Sequence, residues 1–126
     1  MAIKVIDASA LAALLFSEPD AEAVVAAIGA DTLAAPKLLP FEIASVCRKK
    51  LQTYPEQRAA LWAGYDLLDQ IAIQLVDPVL RHAIELAEQS RLTVYDAVYV
   101  QLALDLDADL VTLDQAVQKA HRALKR

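Results

Sequence analysis

Hydrophobic residues in this chain fall into two kinds of run. Four are short and strand-like: Ile3–Asp7 (IKVID), Thr32–Pro36 (TLAAP), Ile71–Asp77 (IAIQLVD) and Asp109–Asp114 (DLVTLD). Between them lie longer stretches with helical spacing. ASALAALLF follows Asp7 directly and reads as a helix. Pro19 is placed to open a second helix at a first-turn position, and Gly29 to end it. Pro40 opens a third helix that runs to about Tyr54. Pro55 opens a fourth, with Leu61, Trp62, Tyr65 and Leu68 on one face. Asp77 and Pro78 supply a cap and a first-turn proline for a fifth helix ending near Ser90. Thr93 caps a sixth, and a seventh spans Gln115–Leu124.

Short apolar strands alternating with helices predict an α/β fold: a three-layer α/β/α sandwich around a parallel sheet of four or five strands. Its 126 residues suit one domain over 1–126, and a 57% hydrophobic composition supplies its core. Sheets of this kind bind ligands beyond the carboxyl ends of their strands. Cys47 is the lone cysteine, which excludes an internal disulfide and suits a reduced, cytoplasmic setting. The apolar start resembles a secretion signal, but Asp7 interrupts it. No run is long enough to span a bilayer, so no membrane association is expected. Twelve basic against 17 acidic residues give a net charge of −5. Bulk charge therefore does not hold nucleic acid to this protein. An enzyme that meets a phosphate through bound metal remains compatible.

Four carboxylates map to the carboxyl edge of the sheet. Asp7 ends the first strand and Asp114 the fourth. Glu42 lies in the first turn after the second strand, and Asp96 in the first turn of the helix that feeds the fourth. Each has a plain structural explanation, because acidic residues complement the positive end of a helix. Asp7 and Asp114 can be N-caps, and Thr93 with Asp96 has the spacing of a capping box. Each acid is nevertheless embedded in apolar sequence. Clustered carboxylates repel, so they must take up a proton or bind a cation. Oxygen-only donors without a His or Cys set suit Mg²⁺ or Mn²⁺, one or two ions.

VIDASAL around Asp7, LPFEIASV around Glu42, LTVYDAVYVQLAL around Asp96 and LVTLD around Asp114 together resemble the PIN-domain family. Within it they are similar to the VapC-type toxin ribonucleases of prokaryotic toxin–antitoxin pairs, over nearly the whole chain. The resemblance implies that Asp7, Glu42, Asp96 and Asp114 hold Mg²⁺ or Mn²⁺ and that the protein is an endoribonuclease. It gives Ser9 and Thr112 supporting roles beside the metal or its water, and it implies a small VapB-like antitoxin as partner. Family members often carry a fifth strand, for which AHRALKR offers no β-branched run.

Other side chains carry less specific signals. Arg48 and Lys49, with Lys50, follow Glu42 on the third helix, either as a solvated face or as contacts to RNA backbone. Lys119, Arg122, Lys125 and Arg126 suit the negative end of the last helix, with RNA contact as the alternative. Cys47, Trp62 and Tyr65 read as core, with an exposed partner-binding face as the alternative for the two aromatics. Tyr95 and Tyr99 read as packing residues. His82 and His121 suit surface or capping positions. The apolar sixth helix suggests a homodimer. Competing functions are an RNA-processing nuclease without an antitoxin, a catalytically silent PIN-like binding module, and a phosphoacceptor receiver domain. The last requires a lysine after a fifth strand, which this sequence lacks.

Overall fold

The computed structural model describes residues 2–125. Four strands form one sheet: β1 (Ile3–Ile6), β2 (Thr32–Pro36), β3 (Ile73–Val76) and β4 (Asp109–Val111). They lie in the order β3-β2-β1-β4, with every pairing parallel. On β1 the adjacent residues Val5 and Ile6 are both fully buried, as are Ala34 and Ala35 on β2. Successive strand residues point to opposite faces, so both faces of the sheet are covered and the architecture is three-layered. Full burial of a Val, Leu or Ile side chain stabilises by roughly 1.5–3 kcal/mol. Ile6, Leu11, Leu39, Ile43 and Val100 therefore anchor the fold.

The helices are α1 (Ala8–Leu15), α2 (Ala21–Ile28), α3 (Leu39–Thr53), α4 (Arg58–Asp66), α5 (Leu80–Ser90), α6 (Val94–Asp105) and α7 (Gln115–Leu124). Gly29 ends α2 with φ +57°, as its position predicts. Several starts differ from the sequence expectation. Pro19 lies outside α2, in a turn closed by the Ala21 N–H on the Glu18 carbonyl. The fourth helical segment opens and closes with 3₁₀ turns, Pro55–Gln57 and Leu67–Gln70. The second of these delays β3 to Ile73. Asp77 does not cap α5, which begins three residues later without a side-chain cap. Its carboxylate is drawn instead to Lys37, at 3.2 Å, beyond the end of β2. Gly64 lets α4 approach the end of α1, because a Cβ there would run into the Leu15 carbonyl.

The connections decide where a site belongs. From β1 the chain steps to β2 and β3 on one side, then crosses back to β4 on the other side of β1. The switch point lies between β1 and β4, and crevices for ligands open at the carboxyl edge there. The Asp7 N–H donates to the Val111 carbonyl at 3.1 Å and extends the pairing one residue past the end of β1. Only a short turn links α6 to the amino end of β4. The helix therefore starts at the opposite, carboxyl edge, which carries Asp96 to the same place as Asp7. Helix α6 buries Ala97, Val98, Tyr99, Val100, Leu102 and Ala103 inside the protein. Most of its apolar sequence is thus buried within the chain, while Val94 and Tyr95 stay exposed. Among the described residues no helix is long and apolar enough to cross a membrane.

Candidate active site

Asp7 is the hub. It caps α1 through Oδ1, which accepts from the Ala10 N–H at 3.1 Å and from the Ser9 hydroxyl at 2.6 Å. Its Oδ2 accepts from the Thr112 hydroxyl at 2.5 Å. Ser9 Oγ in turn accepts from the Leu113 N–H at 2.9 Å, and Thr112 Oγ1 from the Asp114 N–H at 3.0 Å. These two hydroxyls, expected in supporting roles, tie the segment after β4 to the segment after β1. Asp114 caps α7, with Oδ1 accepting from the Ala116 and Val117 N–H groups at 2.9 and 3.1 Å. Thr93 caps α6 by accepting from the Asp96 N–H at 3.1 Å. The cap reading therefore holds for Asp7 and Asp114, and it does not exclude a shared site. Asp114 uses one oxygen as a cap, and its other oxygen has no hydrogen-bond partner among the described residues.

Glu42 is held from the side. The Tyr99 hydroxyl donates to its Oε1 at 2.5 Å, and Tyr99 is itself 2% exposed. Tyr99 is therefore more than the packing residue its apolar surroundings predict. Its place three residues after Asp96, on the same helical face, was the available signal.

Asp7, Glu42, Asp96 and Asp114 line one open cleft of about 550 Å³. Glu18, Asp20 and Lys50 line it too. Arg48 and Lys49, the candidates for RNA contact, are exposed residues that do not line the cleft; Lys50 is the member of the trio that does. Burial raises the carboxyl pKa of Asp7, against hydrogen bonds from Ser9, Thr112 and Ala10, and the charge of Asp114 raises it further. Burial also raises Glu42, with Asp96 and Asp7 adding to the effect against the bond from Tyr99. Asp96 rises through burial and the charges of Asp114 and Asp7. Three carboxyls that hold protons too tightly make a site that gains from a cation.

The donor set tests which cation fits. It contains only oxygen. Among the described residues no three His, Cys, Asp or Glu side chains converge closely enough to clasp an ion directly. Zinc, which takes nitrogen and sulfur donors in a closed tetrahedron, does not suit it. Mg²⁺ does, because it keeps several waters and takes only one or two carboxylates.

Away from the cleft, His121 is buried, which corrects its expected surface or capping position. It sits against the Ala108 backbone, and burial pushes its pKa down. His82 is exposed. Cys47 is a buried core residue, as expected. Trp62 is 44% exposed and meets Tyr65 edge-on at 6.0 Å, so it is not core. Lys125 pairs with Asp109 at 2.8 Å across to the β4 start rather than serving only the end of α7. Arg126 lies outside the described residues.

A parallel sheet in the order 3-2-1-4, with acidic residues gathered at its switch point, defines a class, and the chain belongs to it: residues 4–123 match the PIN domain family. The chain is 32% identical over 125 residues to Ribonuclease VapC3 of Pyrobaculum aerophilum, covering 95% of each protein. Its fold is similar to the crystal structure of PAE2754 from the same organism. That similarity has a TM-score of 0.75 at 23% identity and covers 94% of this chain and 84% of the other.

Proposed function

We propose that this protein is a Mg²⁺- or Mn²⁺-dependent endoribonuclease and the toxin of a toxin–antitoxin pair. The observation that carries the reading is the meeting of four carboxylates, from four separate segments of the chain, in one cleft at the sheet's switch point. Similarity to a VapC ribonuclease supports the same substrate class.

Asp7, Glu42, Asp96 and Asp114 would hold the metal, partly through its waters. A bound divalent ion supplies a water of lowered pKa and a counter-charge for phosphate oxygens. The protein's own part is positional. Ser9 and Thr112 fix both oxygens of Asp7, the two α7 amides fix Asp114, and Tyr99 fixes Glu42. Preset carboxylates need no reorganisation when substrate arrives. RNA cleavage that persists in EDTA, or that is absent in both Mg²⁺ and Mn²⁺, overturns the proposal.

The antitoxin role has its own test. Six acidic residues and one lysine line the cleft among the described residues, so a partner that silences it does so best with a basic side chain. Co-expression with a small protein encoded beside it is expected to yield a stable complex without nuclease activity. Failure to co-purify at micromolar concentration moves the reading to an RNA-processing nuclease.

Tyr99→Phe removes one hydrogen bond to a carboxylate and leaves the ring in place. Such a bond contributes about 1.5–3 kcal/mol. We expect cleavage to fall about tenfold or more, with a higher Mg²⁺ concentration needed for half-maximal rate. An unchanged Mg²⁺ dependence would mean that Tyr99 only packs.

A further inference from the structure

We propose that Lys50 is the docking point for an RNA phosphate remote from the scissile one, and that Glu18 holds Lys50 in the cleft until RNA displaces the pairing. The inference rests on the nuclease reading above and names how that site gains its substrate.

Glu42, Val46 and Lys50 recur every four residues along α3 and all three line the cleft. They form one stripe of the helix. Eight residues at 1.5 Å each put Lys50 about 12 Å along the axis from Glu42. A chain lying along this stripe with one phosphate at the carboxylates therefore presents a different phosphate to Lys50. Among the described residues Lys50 is the only cation lining the cleft, against six acids. With a net charge of −5, attraction for a phosphate beyond the reach of a bound metal has to come from a local cation of this kind.

The side chain is held ready. Lys50 Nζ lies 3.1 Å from Glu18 Oε2 and 5.7 Å from the centre of the Phe16 ring. Glu18 also lines the cleft, and both members of the pair stay partly open to water. An ammonium has three donors, of which one carboxylate oxygen engages one. A phosphate oxygen can replace that carboxylate without moving the helix. Glu18 is then a competitor for Lys50, and the two residues have opposite effects on RNA.

The opposite signs separate this from a simple structural bridge. In the Lys50→Gln variant KM for a short single-stranded RNA should rise about tenfold, while kcat stays near that of the native protein. The slope of log affinity against log salt should fall by about 0.7, the value for one phosphate contact on a single strand. Lys50→Arg should restore both. Glu18→Gln should lower KM severalfold. A fluorescent RNA binding to the uncleaving Asp7→Asn protein, with and without Lys50→Gln, reads the contact without any turnover. A structural bridge predicts the same sign for Lys50→Gln and Glu18→Gln, in KM and in melting temperature, and that result overturns the proposal. So does native cleavage with a KM indifferent to Lys50→Gln. If the native protein neither cleaves nor binds RNA, the nuclease reading itself falls.

Discussion

Asp7→Asn is expected to abolish RNA cleavage, by at least about a hundredfold and so by about 2.7 kcal/mol of transition-state stabilisation, in a protein that still folds. The fold should survive because asparagine keeps one carbonyl oxygen for the Ala10 N–H. Its amide can face Thr112, whose hydroxyl accepts as well as donates. Asparagine also removes a carboxyl that burial already holds toward its protonated form. What it cannot supply is a negative oxygen at the hub of the site. Circular dichroism and a melting curve within a few degrees of the native protein, together with lost cleavage in Mg²⁺, are the expected pair of results. Native-like cleavage by this variant would remove Asp7 from the chemistry.

Asp96→Asn should lose activity to a similar degree yet make the metal-free protein more stable. A cap residue behaves the other way. Losing a carboxylate at a helix start costs about 0.3–1 kcal/mol. Asp96, however, is desolvated and repelled by Asp114 and Asp7. Because the side chain is still half open to water, the relief is on the order of 1 kcal/mol rather than the buried-charge figure. The sign in pH follows from linkage. Asp7, Glu42 and Asp96 have folded-state pKa values above the ordinary ones, so between the two values the folded protein binds more protons than the unfolded chain. Stability of the metal-free protein therefore falls as pH rises from about 4 into the raised range, then levels off. Asp96→Asn should shrink that fall. Mg²⁺ needs ionised carboxylates, so it should restore stability most at the alkaline end. At roughly millimolar affinity, about 10 mM Mg²⁺ adds on the order of 1.4 kcal/mol to the native protein and less to the variant. Urea unfolding of both proteins in EDTA and in Mg²⁺ reads all of this. A variant less stable in EDTA, with an equal response to Mg²⁺, would make Asp96 a cap and nothing more.

The strands were legible because β-branched and apolar runs of that length have few other uses, and β2 falls on the residues its pattern predicts. The carboxylates at strand ends were legible for the same reason. Asp96 was harder, since no strand precedes its helix; its place follows from the direction in which α6 must run to reach β4. Local signals were less reliable. The Asp77–Pro78 pair looks like a helix start, but α5 begins at Leu80 and Asp77 makes an exposed ion pair with Lys37. Tyr99 was opaque because its hydroxyl finds Glu42 only once α3 and α6 are packed together. Lys50 was not separable in sequence from Lys49, since i+7 and i+8 share a helical face with Glu42; it stands apart only once Glu18 faces it across the cleft.

The crossing back of the chain to β4 also sets an order of events in time. Asp7 emerges early in synthesis, but both the hydroxyl that fixes its Oδ2 and the carboxylate that faces it belong to Thr112 and Asp114. Contacts so distant in sequence form late, after the intervening chain has been made and its loop entropy overcome. Until then β1 lacks its β4 neighbour, and the hub has no hydroxyl from Thr112. A partly made chain thus carries Asp7, Glu42 and Asp96 without a finished site. The order of translation thus fixes when the four carboxylates can first meet: not before the chain has passed Asp114.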